Sequence, residues 1–376
     1  MIEMQDIFNA YGDEYRSGHK LSIVQHKAMN AIMNCRTENL GGHVDVCPSC
    51  GFTKNSYNSC RNRHCPKCQT FAKEKWIDNQ KYDLLNVGYF HVVFTIPDIL
   101  NTVIYQNQEM MYNLLFRTVA ETLQELSYDK KYLGATIGFT SVLHTWGQNL
   151  MFHPHIHCIV PAGGLTGDGK WRNSRKKFFL PVKVLSRKFR GKFLALMKKE
   201  KLSFSGKAEY LSNPNAFADL IDSAYLKEWI VYCKPPFKDA GCVVEYLGRY
   251  THRVAISNNR ILKFENGQVS FKWRDYKDDS KWKVMTVSVE EFIRRFLLHV
   301  LPNRFMKIRH YGILGNRNKT KKLTLCKKLT NTVLKIKKKA STLELIQRMT
   351  GRDIGKCPAC GADRLIHHFI IRPMLC

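Results

Sequence analysis

Three histidines occupy alternate positions in the stretch FHPHIHCIVPAGG, residues 152–164. Side chains along a β-strand alternate between its two faces, so His153, His155 and His157 should project from the same face. Two imidazoles at positions i and i+2 can hold one metal ion between them, whereas a row of protonated histidines would repel itself. His155 and His157 are therefore predicted to bind a divalent ion that keeps coordination positions open for a phosphate oxygen.

A third ligand is needed, and the candidates are His144 on the preceding predicted strand, His153 on the same strand face, and Gln148 in the connection. An adjacent antiparallel strand would bring its side chain alongside the pair, which favours His144. We interpret His91 and His299 as core residues, because a lone histidine on an apolar face is more often hydrogen-bonded than metal-bound.

Two tyrosines, Tyr246 and Tyr250, stand four residues apart in the stretch EYLGRYTHR, and a helix would place them on one face. An isolated pair of this kind is usually an aromatic core stripe, but the flanking Arg249, His252 and Arg253 suit a phosphodiester better than a core. A tyrosine hydroxyl becomes a usable nucleophile when cations and a metal-bound phosphate stabilise the developing charges. The product would be a phosphotyrosine, which conserves the energy of the broken bond and favours cutting and rejoining over degradation.

The segment CPSCGFTKNSYNSCRNRHCPKC contains two knuckles, Cys47–Cys50 and Cys65–Cys68. A CxxC turn directs two sulfurs at one ion, and a second turn completes the tetrahedral thiolate site that is typical of zinc. We therefore expect these four cysteines to hold one structural zinc. Potential ligands for a second, interleaved zinc site remain in the same block: Cys35, His43, Cys60 and His64.

Basic residues surround the knuckles, and Arg61, Arg63 and Lys67 would make the cysteine block a phosphate-contacting surface. Further along the chain, the stretch CPACG supplies Cys357 and Cys360, which resemble half of a zinc ribbon. Candidate partners near this half are His367, His368 and Cys376.

The chain has 376 residues, of which 44% are hydrophobic, and this composition excludes a disordered protein. Sixty Lys and Arg residues against 31 Asp and Glu give a formal net charge of +29, for which nucleic acid is the usual partner. The first residues do not form a signal peptide, and no apolar run approaches the length of a membrane span. We therefore expect a soluble, intracellular protein whose cysteines are reduced.

The elements that must position these residues follow from hydrophobic periodicity, and they alternate between strands and helices. Helices are predicted in residues 1–33, 71–86, 104–126, 183–200, 215–232, in a segment before Pro302, and in 341–351, where Ser341 and Glu344 form a capping box. Strands are predicted in residues 89–97, 134–147, 152–164, 260–276 and 281–289, with a hairpin turn at Asn266–Gly267 and a break at Pro235–Pro236. This order predicts an α+β fold with an antiparallel, ferredoxin-like sheet.

The motifs LGGHVDVCPSCG, SYNSCRNRHCPKCQ, HVVFTIP, HPHIHCIVPAGG and YLGRYTHRVAIS follow one another in this order between residues 20 and 315. Together they resemble the HUH-endonuclease transposases of rolling-circle bacterial insertion sequences, the IS91 family. The resemblance implies that His155 and His157 hold Mg²⁺ or Mn²⁺, on a central strand of a ferredoxin-like or RRM-like catalytic sheet. It also implies that Tyr246 and Tyr250 attack single-stranded DNA, leaving a 5′-phosphotyrosine and a free 3′-OH.

The resemblance divides the chain into a helical and zinc-binding domain (1–85), an HUH tyrosine transposase domain (86–315) and a basic tail with a candidate zinc knuckle (316–376). The implied partners are single-stranded element ends and target DNA in the bacterial cytoplasm, at the nucleoid. A host helicase and the replication machinery would expose these strands, because the sequence has no phosphate loop of the type GxxxxGKS or GxxxxGKT.

Two alternatives stay open at the level of sequence. The first is a replication initiator or relaxase with the same chemistry, against which the cysteine block argues. The second is a non-catalytic zinc-dependent nucleic-acid binder, whose binding would survive although cleavage never appears when divalent ions are supplied. The lysine-rich segment 319–339 likewise either follows a phosphate backbone or is solvated.

Overall fold

The computed structural model describes the chain except residues 1, 176–178, 238–242, 244–247, 249–254, 277, 334–339, 364–365 and 375–376. The helices of the described part are α1 (Met4–Gly18), α2 (Ile23–Met33), α3 (Pro66–Gln80), α4 (Asn101–Gln106), α5 (Gln108–Tyr128), α6 (Val182–Met197), α7 (Pro214–Leu226), α8 (Val289–Leu297), α9 (Lys319–Leu329) and α10 (Thr342–Thr350). The strands are β1 (Gly42–Val46), β2 (Thr53–Tyr57), β3 (Tyr89–Thr95), β4 (Gly138–Trp146), β5 (Phe152–Pro161), β6 (Gly163–Leu165), β7 (Trp171–Asn173), β8 (Val231–Phe237), β9 (Ile261–Glu265), β10 (Gln268–Asp275), β11 (Lys281–Ser288), β12 (Ile308–Gly312) and β13 (Ile366–Ile371).

Local sequence signals account for several element ends. Asn266 and Gly267 both have positive φ, 50° and 67°, as a two-residue hairpin turn requires, and they join β9 to β10 as predicted. The Ser341 side chain accepts a hydrogen bond from the Glu344 backbone, and the reciprocal bond completes the predicted capping box at the start of α10. This helix ends at Gly351, whose φ of 70° suits glycine.

A central antiparallel sheet of five strands has the order β12-β4-β5-β3-β8, so the histidine-bearing β5 is its middle strand. One face of the sheet is apolar: Phe90, Phe94, Phe139 and Ile156 are buried there against α5 and α6. The predicted α+β class with an antiparallel sheet is confirmed. The opposite face carries the histidines, because side chains alternate along each strand.

One predicted helix, 215–232, is shorter than expected, because α7 ends at Leu226 and β8 begins at Val231. The break predicted at Pro235–Pro236 is wrong, since both prolines belong to β8. Proline is tolerated at this place because β8 is an edge strand of the sheet and pairs only with β3 among the strands described.

A second core joins parts of the chain that are far apart in sequence. Helices α1 and α2 pack against the meander β9–β11 and α8, and the rings of Phe8 and Phe296 meet edge to face at 5.5 Å. Near the other end of the described chain, β13 pairs with β1 in the three-stranded sheet β13-β1-β2. The second core crosses the proposed boundary at residue 85, and the pairing of β1 with β13 joins segments on either side of both 85 and 315. The two boundaries therefore stay predictions.

The lysine-rich segment contains a packed helix. Leu323 and Cys326 of α9 are buried with Leu85 and Ile313, while Lys319 pairs with Asp83 at 2.6 Å. The first part of the lysine-rich segment is therefore partly buried rather than wholly solvated. Residues 334–339 lie outside the described residues. Among the residues that the structure describes, no helix combines the length and apolarity that crossing a membrane requires.

Candidate metal centre and cysteine clusters

Strands β3, β4 and β5 bring four histidines to one face of the central sheet. His144 on β4 is paired directly with His155 on β5, and His157 follows two residues later on the same face. The potential ligand nitrogens of His144, His155 and His157 all lie within 4.8 Å of one another. Three imidazoles from two neighbouring strands therefore converge on one point, as predicted from their spacing.

Hydrogen bonds fix two of these rings through their Nδ1 atoms. His155 Nδ1 lies 2.6 Å from the carbonyl oxygen of His153, and a carbonyl only accepts, so Nδ1 carries the proton. His157 Nδ1 lies 2.8 Å from Nε2 of His91 on β3. A ring that donates from Nδ1 presents the lone pair of Nε2 to a metal ion. The structure thus supplies the second layer of contacts that metal-bound histidines usually have.

Burial favours the neutral form of His155 and His91, and neutral imidazole is the form that binds metal. The pKa of His155 is lowered to about 3, mainly because burial removes the hydration of the charged ring and secondarily because His153 lies close. The pKa of His91 is also lowered to about 3, by burial and by the nearby Lys234. Three nitrogen donors with no carboxylate in the group fit a divalent ion that keeps further coordination positions for oxygen ligands.

The other two candidates for the third position have different neighbours. The His153 ring lies 5.2 Å from the His155 ring, centre to centre, but His153 is not part of the group of three. Gln148 Nε2 donates to the hydroxyl of Tyr276 at 3.1 Å. The geometry therefore agrees with the preference for His144.

The predicted nucleophiles Tyr246 and Tyr250 lie outside the described residues, as do Arg249, His252 and Arg253. Described residues of the same segment have clear positions. Val243 is buried with Tyr89 and Ile159, at one end of the histidine face. Ala255 is buried in the core that contains Trp146, whose ring stacks on His144 at 4.5 Å. The segment 243–255 thus begins and ends on either side of the three histidines.

Gly248, between the two tyrosines in sequence, contacts helix α3. A Cβ built at this position would lie 2.1 Å from Ile77 Cδ1 and 2.5 Å from Ile77 Cγ1. Such distances do not occur between real side chains, so only glycine permits this approach. Gly248 itself is therefore packed closely against the helix that follows the cysteine block.

The cysteines form two groups of four, and their membership differs from the prediction. Cys35, Cys60, Cys65 and Cys68 form the first group, and Cys47, Cys50, Cys357 and Cys360 form the second, each with sulfurs within 4.8 Å of one another. The knuckle Cys47–Cys50 therefore does not share a site with Cys65–Cys68. The prediction paired two knuckles that are neighbours in sequence. The pairing of β1 with β13 instead brings the distant knuckle Cys357–Cys360 next to Cys47–Cys50.

The two histidines of the predicted second zinc site belong to neither group. His43 Nε2 lies 3.4 Å from the carboxylate of Asp45 on β1. His64 Nε2 accepts a hydrogen bond from the backbone N–H of Leu301 at 3.4 Å. Burial, together with the charges of Lys307 and Arg63, lowers the pKa of His64 to about 3. Cys35 and Cys60 do join a four-cysteine group, as expected of potential ligands, but with Cys65 and Cys68.

The first group connects two helices. Cys35 follows α2, while Cys65 is the N-cap residue of α3 and Cys68 lies in its first turn. Hydrogen bonds from the thiols of Cys35 and Cys60 lower the pKa of Cys68, and the helix N-terminus favours negative charge at this place. This arrangement is suited to thiolate coordination of a metal.

Two of the basic residues predicted to contact phosphates are engaged within the protein. Arg63 donates from both terminal nitrogens to the Phe305 carbonyl, at 2.7 and 2.6 Å. Lys67 pairs with Glu3 at 2.5 Å and donates to Gln5 at 2.6 Å. Arg61 is exposed, and among these three it is the one placed to meet a ligand from solvent.

Two contacts were not predicted from the sequence. His91 is a buried, hydrogen-bonded histidine outside the group of three, as interpreted, but its partner, Nδ1 of His157, was not foreseen. The strand order, in which β3 lies directly beside β5 on the side away from β4, is the signal that would have placed His91 next to His157. The pairing of Cys357–Cys360 with Cys47–Cys50 was also missed, although both knuckles have the sequence CPxCG.

Comparisons with known proteins agree with this architecture. The family model described as "Transposase zinc-binding domain" matches residues 7–96, and the one described as "Putative transposase" matches residues 138–322. The chain is 47% identical to "Putative transposase y4qJ" of Sinorhizobium fredii, over 97% of this chain and 94% of that protein. It is 29% identical to "Transposase for insertion sequence element IS801" of Pseudomonas savastanoi pv. phaseolicola, over 79% of this chain and 72% of that protein.

A solved structure of TrwC with a 27-mer DNA comprising the recognition hairpin and the cleavage site is 12% identical, with a TM-score of 0.23, and the match covers 45% of this chain and 68% of that one. The family models and the two sequence relatives span both the cysteine block and the histidine sheet. The chain therefore belongs to the IS91 family of transposases, with a transposase zinc-binding domain ahead of the sheet that carries its three converging histidines.

Proposed function

We propose that this transposase cleaves and rejoins single-stranded DNA at the ends of its insertion sequence through a 5′-phosphotyrosine intermediate. The observation that carries the proposal is the group of His144, His155 and His157 on the face of the sheet opposite α5 and α6. The relative from Pseudomonas savastanoi is named as the transposase of an insertion sequence element, which agrees with this role. The five-stranded sheet would then be the ferredoxin-like or RRM-like catalytic sheet of HUH endonucleases.

The three histidines would hold Mg²⁺ or Mn²⁺, which supplies a Lewis acid for the scissile phosphate when it is bound. The chain's own contribution is orientation. The His153 carbonyl and the His91 ring hold Nδ1 of His155 and His157, so neither ring can rotate away without losing a hydrogen bond.

The proposed reaction is a transesterification at phosphorus. The hydroxyl oxygen of Tyr246 or Tyr250 forms a bond to the phosphorus, the bond from phosphorus to the 3′ oxygen breaks, and the 3′ oxygen leaves with the proton that the tyrosine gives up. The phosphotyrosine remains a phosphodiester, so attack by another 3′-OH reverses the step and joins a new strand. This balance needs no ATP.

The cysteine group at the start of α3 is the proposed structural zinc site of the zinc-binding domain. Its four thiols come from the end of α2, the loop before α3 and the first turn of α3. A zinc ion at this point would fix α3, and α3 packs through Ile77 against Gly248 between the two tyrosines. Zinc would therefore help to hold the nucleophile segment, while catalysis would depend on the histidine-bound ion.

Three elements of the wider proposal rest on the family and the sequence. The zinc-binding domain, the catalytic domain and the basic tail are assigned to residues 1–85, 86–315 and 316–376. The basic surface would bind single-stranded element ends and target DNA. Because the sequence has no phosphate loop of the type GxxxxGKS or GxxxxGKT, we assign strand separation to a host helicase and the replication machinery.

The experiment that tests this function compares three alanine variants in the cleavage of a labelled single strand from the element's end. His155→Ala and His157→Ala should bind the strand but lose Mg²⁺-dependent cleavage, by roughly 100-fold or more. His153→Ala is the matched control, since it removes a histidine from the same strand face outside the group of three and leaves the backbone carbonyl in place. Binding by the wild type without cleavage at any Mg²⁺ or Mn²⁺ concentration would support the non-catalytic binder instead.

A further inference from the structure

Two knuckles with the sequence CPxCG have the same local conformation although they are far apart in the chain. Gly51 donates to the Cys47 carbonyl at 2.9 Å, and Gly361 donates to the Cys357 carbonyl at 2.9 Å. The φ angles of the two glycines are 71° and 76°, in the left-handed region that favours glycine. Each knuckle is therefore a preformed turn that directs two sulfurs to the same side.

Strand pairing explains why the two knuckles meet. Cys47 follows the end of β1 at Val46, and Cys360 precedes the start of β13 at Ile366. The strands are antiparallel and Val46 is the partner of Ile366. The end of one strand therefore adjoins the start of the other, and both knuckles lie at the same end of the sheet.

The sulfur positions fit a tetrahedral metal site. Cys47 Sγ lies 3.6 Å from Cys360 Sγ, and Cys50 Sγ lies 3.7 Å from Cys357 Sγ. With zinc–sulfur bonds of about 2.3 Å, the edge of a tetrahedron is about 3.8 Å, close to both distances. A disulfide would need about 2.05 Å, so the four residues are arranged as thiols around a common centre.

The segment before the second knuckle lies along α3 and the loop after it. Arg348 of α10 pairs with Asp78 at 3.1 Å, and the Lys327 ammonium donates to the Tyr82 carbonyl at 2.6 Å. The Asn86 backbone N–H donates to the Thr332 hydroxyl at 2.8 Å. Single polar contacts of this kind contribute little each, so a metal at the end of the segment would add to the attachment that the buried Leu323 and Cys326 of α9 provide.

We infer that Cys47, Cys50, Cys357 and Cys360 bind a second zinc ion and form a zinc ribbon from two distant parts of the chain. Cys47 and Cys50 lie within the match to the zinc-binding domain, whereas Cys357 and Cys360 lie beyond both family matches, which end at residues 96 and 322. It attaches the basic segment and α10 to the zinc-binding domain, next to α3. The inference is independent of the cleavage chemistry, because it depends on the sulfur geometry and the β1–β13 pairing alone.

Zinc content tests the pairing directly. The purified wild type should contain two zinc ions per chain by inductively coupled plasma mass spectrometry, one for each four-cysteine group. The double variants Cys357→Ser/Cys360→Ser and Cys47→Ser/Cys50→Ser should each contain one, and the quadruple variant should also contain one. Cys233→Ser, which changes a half-buried cysteine outside both groups, is the matched control and should retain two. An unchanged zinc content in Cys357→Ser/Cys360→Ser would overturn the inference.

Alkylation of the wild type gives an answer that does not depend on the folding of a variant. Cys50 and Cys360 are exposed, so as free thiols they would react quickly with iodoacetamide. With zinc bound, both should resist alkylation at least 10-fold relative to the zinc-stripped protein, measured by peptide mass spectrometry. Equal rates at Cys50 and Cys360 before and after removal of zinc by a chelator would contradict the site.

Discussion

At the scale of single residues, the hydrogen bond between His91 and His157 links the group of three histidines to strand β3. His91 lies on β3, and its Nε2 is 2.8 Å from Nδ1 of His157. The two rings are nearly parallel, with an interplanar angle of 4°. His91 would not contact the metal, so its proposed role is to position a ligand rather than to take part in the reaction.

The contact predicts that His91→Leu weakens Mn²⁺ binding by about 10- to 100-fold, because partners of this kind contribute that much to metal affinity. His91→Gln should retain most of the affinity, since its amide oxygen can accept the bond from His157 Nδ1. Isothermal titration with Mn²⁺, in the absence of DNA, measures the effect without relying on activity. If His91→Leu binds Mn²⁺ as tightly as the wild type, His91 has only a packing role.

The sequence was informative about residues whose partners are near in the chain. Alternation along one strand predicted that His155 and His157 share a face, and the neighbouring hairpin strand predicted His144. His91 was not recognised, because its contact depends on β3 adding to the other edge of β5. The cysteine pairing failed for the same reason, since the partner of Cys47–Cys50 is more than 300 residues away.

At the scale of elements, helix α3 connects the first cysteine group to the predicted nucleophile segment. Cys65 and Cys68 lie at its start, and Ile77 contacts Gly248 near its end. The glycine in YLGRY therefore has a steric reason for its type.

Gly248→Ala should lower the rate of strand cleavage by about 10-fold or more, since a displacement on the order of 1 Å near a nucleophile is costly. The added Cβ would overlap Ile77, so the double variant Gly248→Ala/Ile77→Ala should recover part of the lost rate. Single-turnover cleavage of a labelled strand measures both effects.

Gly191→Ala on α6 is the matched control for this substitution, because a Cβ there meets no atom within 4 Å. It should cleave like the wild type. A Gly248→Ala variant with normal cleavage, or a double variant that is no better than Gly248→Ala, would remove α3 from the account of nucleophile positioning.

Elements with strong local signals were predicted well, and elements defined by pairing were not. The Asn266–Gly267 turn and the Ser341–Glu344 capping box were both recognised, because each acts within four residues. Strands β12 and β13 were not predicted, although both complete sheets at their edges. An edge strand needs only one partner and one covered face, so its sequence carries a weak pattern.

At the scale of the whole molecule, the formal net charge of +29 should dominate the affinity for nucleic acid and its dependence on salt. The lysine-rich helix α9 presents Lys321 and Lys328 to solvent, while Leu323 and Cys326 face the protein. If this helix follows a DNA backbone, its exposed lysines neutralise phosphates and release the counterions that are condensed on the DNA.

Lys321→Gln/Lys328→Gln should therefore lower the slope of log affinity against log salt by about 1.4, or about 0.7 for each phosphate contact with a single strand. Fluorescence anisotropy with a labelled single strand across a salt series measures this slope. The matched control, Lys198→Gln/Lys199→Gln, makes the same charge change beside α6, which covers the sheet face opposite the histidines. Equal slopes for the two double variants would assign the exposed lysines of α9 to solvent.

The packing of the molecule as a whole was the part least accessible to sequence reasoning. Composition predicted a nucleic-acid partner, and the family resemblance predicted the order of the domains. The core formed by α1, α2, the meander and α8 was not foreseen, nor was the pairing of β1 with β13. Both join segments separated by more than 200 residues, and each contact depends on surfaces that exist only once the separate elements have formed.

The most direct test of the central claim is to isolate the covalent protein–DNA adduct and locate its attachment by peptide mass spectrometry. Wild type, Tyr246→Phe, Tyr250→Phe and the double variant would be incubated with a single strand from the element's end, with Mg²⁺ or with EDTA. The account predicts a denaturation-resistant adduct that requires Mg²⁺, maps to Tyr246 or Tyr250, and disappears in the double variant. A Mg²⁺-dependent adduct that persists in the double variant, or cleavage that leaves no tyrosine-linked DNA in the wild type, would contradict it.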